Sequence, residues 1–131
     1  SNHEVEITQS WVNFLKRYYG HPVHTHANSY LSGVFYLHVD EEQGSPIEFE
    51  RADNYFPLKL GDEGFDNPNH HYKHIFPKMV CSAKNGHLLL FPSTLRHSVS
   101  INELEDARVS LSFNTFPKRP FGLGEVYGEV E

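Results

Sequence analysis

Residues Asn85 to Val99 read NGHLLLFPSTLRHSV, and this stretch decides the fold. Asn-Gly tolerates positive φ at both positions and predicts a hairpin turn. His87 to Phe91 behind it is an apolar run without helical period, which predicts a strand, and Pro92 breaks it. After a short turn a second strand resumes over His97 to Ile101. The same grammar continues outward in both directions. Strands are expected around Val5 to Tyr19, Ser32 to Val39, Ile47 to Arg51 and Met79 to Ala83 upstream, and around Arg108 to Phe113 downstream. Ten Phe and seven Tyr favour strands over helices as well. Many short strands separated by turns predict an all-β sandwich or barrel with little helix, the jelly roll among the candidates.

A chain of 131 residues is expected to form one domain, 1–131, with a single core. A net charge of -6 without a basic cluster excludes nucleic acid as the main partner, since the run Pro117-Lys118-Arg119 is too short to track a phosphate backbone. No segment is long and apolar enough to span a bilayer and no signal peptide opens the chain, so no membrane partner is expected. The lone Cys81 forbids an internal disulfide and suits a reducing, cytoplasmic setting; inside the alternating run KMVCSAK it reads as a buried structural thiol. Between Asn54 and Phe76 lies a long polar loop of the kind that serves as a lid or binding loop, and the tail after Phe116 reads as extended coil.

The ten histidines are the unusual feature of the composition. On a strand, residues two apart face the same side, so His24 and His26 project together ahead of the apolar run Leu31 to Leu37. If the strand carrying His97 runs beside theirs, three imidazoles converge on one metal; imidazole suits Fe, Zn, Cu and Ni alike, so residue type does not select the ion. Taken alone, a His-x-His pair is more often a surface or core feature. Arg108, Ser110 and Ser112 share one face of the last strand, and Val109, Leu111 and Phe113 share the other, which reads as core. The first face is a cradle for a carboxylate, or simply a solvated polar face. His70, His71 and His74 in the long loop, His21, His38, His87, His3 and Arg51 read as surface or structural residues. Trp11 reads as core by size, and Asn13 as a candidate pocket residue.

Four ordered motifs then carry a resemblance: HTHANSYLSGVFYL, GSPIEF, NGHLLLFPSTLRHSV and RVSLSFN. Together they resemble the iron- and 2-oxoglutarate-dependent oxygenases, and more narrowly a branch with H-x-H, S-G-V-x-Y, F-P-S-x-L-x-H and R-x-S-x-S-F-N. The resemblance runs from about Trp11 to Asn114 and implies a double-stranded β-helix, the cupin-like jelly roll, with Fe(II) and 2-oxoglutarate as cofactor and co-substrate. By resemblance His24 and His97 are iron-binding residues, Arg108 pairs with the distal carboxylate of 2-oxoglutarate with Ser110 beside it, and the Tyr36 hydroxyl touches the same carboxylate. Ser112 or Asn114 would stand behind them.

His26 occupies the position where most of that superfamily has an aspartate. An imidazole there keeps the ligand count and raises the charge of the site by one unit, so that the complex with dianionic keto acid becomes roughly neutral. The implied function is hydroxylation of a C–H bond of a small-molecule or peptide substrate with O2. Two other readings stand beside it: a three-histidine cupin-type dioxygenase that needs no 2-oxoglutarate, and a non-catalytic jelly-roll module holding a metal or a sugar. The chain is also short for the superfamily, whose members often carry helices against the sheet, and sheet left bare in this way predicts a homodimer.

Overall fold

The computed structural model describes residues 4–50 and 78–118, and every regular element among them is a β-strand. In chain order these are β1 (Val5–Leu15), β2 (His21–His24), β3 (Leu31–His38), β4 (Ile47–Glu50), β5 (Lys78–Cys81), β6 (Leu88–Pro92), β7 (Arg96–Val99) and β8 (Arg108–Pro117). They form two four-stranded sheets, β1-β8-β3-β6 and β2-β7-β4-β5, with every pair antiparallel. That interleaved order is the jelly roll expected from the sequence.

The strands depart from expectation in instructive ways. The run Val5 to Tyr19 stops at Leu15, where Tyr18 adopts a positive φ of 70° and the chain turns away. A separate short strand follows at His21–His24. The Asn85-Gly86 turn is present, with Gly86 at φ 74°, but it is not the tip of a hairpin. The strands on either side, β5 and β6, belong to opposite sheets. Asn85 instead spends its side chain on Val39, accepting from its backbone N–H at 2.8 Å and donating to its carbonyl at 2.9 Å. Pro92 does not break the strand before it but ends it, paired with Leu31. Ile47 to Glu50 forms the expected strand; Arg51, the loop with His70, His71 and His74, His3 and Arg119 lie outside the described residues.

Between the sheets lies a core of Leu15, Val34, Tyr36, Val39, Ile47, Phe49, Ala83, Phe91 and Val99. Phe49 and Phe91 meet edge-to-face at 4.9 Å, joining one sheet to the other. Cys81 is half-buried against this core, near its expected place.

Of the two readings of the polar face of β8, the cradle holds and the solvated face does not: Arg108 and Ser110 are buried, as are Asn114 and Thr115, while Val109, Leu111 and Phe113, expected as core, are half-buried. On the outer face apolar residues shield one another across strands: Phe14 pairs with Val109, and Val12 and Phe35 both pair with Leu111. Gly33 sits opposite Phe113, whose ring fills the place of a side chain so closely that a Cβ at Gly33 would meet it at 2.2 Å. This outer face still exposes Val12, Phe14 (67%), Leu37, Leu88 and Leu90. The polar face of β8 points inward because it lines a cavity.

Candidate metal centre and carboxylate pocket

Antiparallel pairing of β2 with β7 sets His24 directly opposite His97. His26 lies just beyond β2, two residues on and ahead of the turn at Ala27 and Asn28, and its backbone N–H is held by the Ser93 carbonyl at 3.0 Å. The three imidazoles bring one nitrogen each to within 4.8 Å of one another, with His26 Nε2 3.2 Å from His97 Nε2. No carboxylate belongs to this group among the described residues.

The far nitrogens set the tautomers. His24 Nδ1 lies 2.7 Å from the Pro22 carbonyl and His97 Nδ1 lies 2.9 Å from the Leu95 carbonyl. A carbonyl only accepts, so each Nδ1 carries the proton and each Nε2 presents a lone pair, the arrangement by which metal-ligating histidines are usually oriented. The ring of His97 is 4% exposed and packed by Phe91 at 4.8 Å and Phe49 at 6.1 Å. Burial pushes its pKa down to about 4, against the opposing pull of the Leu95 carbonyl and with help from the neighbouring histidines. Burial, then His24, lowers His26 as well. Neutral imidazoles are what a metal requires.

A stability consequence follows for the metal-free protein. Below about pH 6.5 the unfolded chain protonates His97 while the folded chain does not, so folding loses stability as pH falls, down to about pH 4. We expect urea midpoints to drop from pH 7.5 to pH 5, the His97 share reaching at most about 3 kcal/mol by pH 4. His97→Gln should flatten the profile; an unchanged slope would show that His97 does not titrate in this way.

Behind His26 runs a buried polar relay. The Ser93 hydroxyl is 2.8 Å from that of Ser32, and Ser32 donates to Asn114 Oδ1 at 2.9 Å. Ser29 reaches Ser93 at 2.7 Å. Asn114, expected from resemblance to stand behind the site, therefore does so through two serines that the residue pattern did not single out. Ser112 instead accepts a hydrogen bond from Asn13 at 2.8 Å.

The same cavity continues from the histidines to Arg108, past Asn13, Ser110 and Ser112 on one side and Val34, Ile47, Phe91 and Val99 on the other. Arg108 is 5% exposed, donates from Nε to the Ser45 carbonyl at 3.1 Å, and has its guanidinium carbon 5.0 Å from the Tyr36 ring centre. Ser110 Oγ lies at 3.5 Å from its Nη1. Arg108 forms no ion pair among the described residues. Beside it the Tyr36 hydroxyl is buried close enough to Arg108 to accept from the guanidinium, while its own O–H meets no acceptor among the described residues. Burial raises the Tyr36 pKa, with Arg108 pulling the other way, so the group remains a phenol and a donor.

A buried cation without an anion and a buried O–H without an acceptor are both costly. A carboxylate placed between them satisfies both at once. The residues present thus fit the distal end of a dicarboxylate.

Two sequence readings are corrected here. Trp11 is not a core residue: it is 36% exposed and lines the cavity, its ring 5.9 Å from that of His26. His21 is not a surface residue: it is half-buried in the same cavity, its ring 6.5 Å from that of His24. Strict alternation sends residues three apart to opposite faces, but the β2–β7 register shifts between His21 and His24, and the two intervening residues both point out.

Comparison with known proteins places this architecture. A double-stranded β-helix with a histidine cluster at one end of its cavity and a buried arginine at the other defines a class of non-haem metal protein. Residues 9–114 match the family model described as "Putative 2OG-Fe(II) oxygenase", and the chain belongs to that family. Among solved structures it is similar to an oxidoreductase of the 2OG-Fe(II) oxygenase family from Burkholderia pseudomallei, with a TM-score of 0.62 at 15% identity over 88% of this chain and 46% of that one. It is also similar to the non-heme alpha ketoglutarate dependent epimerase SnoN from nogalamycin biosynthesis, with a TM-score of 0.60 at 15% identity over 85% of this chain and 47% of that one. At this identity the two share the fold, and the chain spans about half the length of each. No curated protein matches it.

Proposed function

We propose that the chain is the catalytic core of an Fe(II)- and 2-oxoglutarate-dependent dioxygenase that hydroxylates a C–H bond of a small-molecule or peptide substrate. The observation that carries the reading is Arg108, buried without an anion among the described residues beside the Tyr36 hydroxyl, in the cavity that three clustered imidazoles also line.

His24, His26 and His97 would hold the iron, with Arg108, Ser110 and Tyr36 taking the distal carboxylate. Iron bound there supplies the oxidising chemistry: O2 and 2-oxoglutarate go to succinate and CO2, one oxygen atom entering succinate and the other the substrate. The chain's own residues orient and enclose. Arg108 and Tyr36 would fix one end of the keto acid, the imidazoles would hold the metal that takes the other, and Val34, Ile47, Phe91 and Val99 limit water between them. With His26 in place of a carboxylate no protein ligand would offset the metal's double positive charge, and Arg108 adds a second cationic anchor for the dianion at its distal end. SnoN carries out epimerisation on the same fold, so the outcome at the substrate carbon depends on groups beyond this shared frame.

The test is an anaerobic titration of the Fe(II)-loaded protein with 2-oxoglutarate, read by the weak visible charge-transfer band of a chelated keto acid. Its appearance supports the reading. Iron binding without a band, with oxygen uptake that ignores 2-oxoglutarate, would favour the direct three-histidine dioxygenase instead. Iron binding with no oxygen uptake under any co-substrate would favour the silent binding module.

The lone Cys81 suits a cytoplasmic setting, and among the described residues no helix is long and apolar enough to cross a membrane. A homodimer through the exposed outer face of the β1-β8-β3-β6 sheet belongs to the same reading. Light scattering should give twice the chain mass; a monomer at high concentration would remove the dimer.

A further inference from the structure

His21 is the cavity residue that neither the metal cluster nor the Arg108 cradle accounts for. The register shift in β2 turns it inward, so that His21 and His24 share the interior while Pro22 and Val23 face out. Its ring forms a loose tilted pair with that of His24, centroids 6.5 Å apart, and lines the same cavity as Arg108. Its ring nitrogens make no hydrogen bond with any described residue, unlike those of His24, His26 and His97. A half-buried imidazole facing a cavity with both nitrogens free is placed to meet a ligand.

We propose that His21 is a co-substrate-binding residue that donates a hydrogen bond to a 2-oxoglutarate carboxylate oxygen between the metal and Arg108. The inference rests on the dioxygenase reading. A keto acid held by the histidines at one end and by Arg108 at the other must cross the interior between them, and His21 flanks that route. Burial, then His24, then Arg108 lower its pKa, and either neutral tautomer of the ring has one N–H to give. A neutral donor suits this position, because a second full cation beside Arg108 would destabilise the protein whenever the ligand is absent.

The experiment uses the Fe(II)-loaded chain under anaerobic conditions with 2-oxoglutarate as the probe, comparing wild type, His21→Leu and His21→Gln. Iron affinity is measured separately on each. His21→Leu should weaken 2-oxoglutarate binding roughly tenfold, the scale of one lost hydrogen bond to a charged group, with iron affinity unchanged. His21→Gln, which keeps an N–H donor, should recover most of that loss. Equal 2-oxoglutarate affinity in wild type and His21→Leu overturns the assignment. So does a loss in His21→Gln as large as in His21→Leu, which would mean that an N–H donor at this position is not what binds the co-substrate. A parallel fall in iron affinity would mean that His21 supports His24 rather than the co-substrate, and also overturns it. If wild type binds iron but not 2-oxoglutarate, the dioxygenase reading itself fails and takes this inference with it.

Discussion

His97→Ala is expected to lower Fe(II) affinity by a factor of about 100 or more and to abolish the 2-oxoglutarate charge-transfer band. The estimate is a floor: losing a group that merely orients a metal ligand already costs about 10–100-fold, and His97 is placed as a ligand itself. It is also the most rigid of the three. Its Nδ1–H is fixed on the Leu95 carbonyl, and its ring is clamped between Phe91 and Phe49. Alanine would also leave a void beside those two rings, at a cost of about 2–4 kcal/mol to folding. His97→Gln therefore belongs in the same experiment, because it fills more of the space while removing the imidazole. Both variants should lose the metal, and only the alanine variant should lose much stability in the metal-free form. Iron affinity within a few-fold of wild type in a folded His97→Gln protein would remove His97 from the metal site.

The strand pattern was legible because a jelly roll is built from short apolar runs cut by turn residues, and Asn85 to Val99 shows that grammar in fifteen consecutive residues. Which sheet each strand joins was not legible. Asn85-Gly86 specifies a tight turn through backbone conformation alone, and nothing local says that β5 and β6 part company across the sandwich. The Val109, Leu111 and Phe113 face of β8 was misread as core for a related reason. Hydrophobic pattern identifies a dry core, whereas this interior contains a cavity that places Arg108, Ser110 and Asn114 inside and leaves Val109 and Leu111 to be shielded by neighbours across the sheet. His24, His26, His97, Arg108 and Tyr36 were legible together only through the motif order, since each alone has a commoner explanation. His21 escaped because a register shift cancels the period-2 rule at that spacing. The signal that could have exposed it is the sequence H-P-V-H itself: proline cannot donate to the strand ladder, and so marks a place where pairing is free to slip.

Arg108→Met separates a ligand-binding role from a structural one more sharply than any other substitution in the cavity. The guanidinium is buried with the Ser45 carbonyl and the Tyr36 hydroxyl as partners, a distant Ser110 hydroxyl and no anion among the described residues, so in the ligand-free protein its desolvation is poorly compensated. Burial lowers its pKa accordingly, although an arginine remains charged. Replacing a poorly paired buried ion by an apolar side chain of similar length is often neutral or stabilising. The Ser45 carbonyl loses its partner, at a cost of about 1 kcal/mol, which offsets part of that gain. The expected result for the metal-free variant is thus a stability equal to wild type or above it. Binding should move the other way. Without the cation, the distal carboxylate of 2-oxoglutarate would be buried against the Tyr36 hydroxyl and Ser110 alone. Truncating one partner of a buried charge pair costs about 2–5 kcal/mol, or about 30-fold to several thousandfold in affinity. Arg108→Lys keeps the charge without the planar fork and should fall between the two. A variant that folds at least as well as wild type while losing the co-substrate identifies an arginine kept for its ligand. If Arg108→Met instead unfolds the chain, or binds 2-oxoglutarate as wild type does, the cradle around Tyr36 serves the fold and the carboxylate must be held elsewhere.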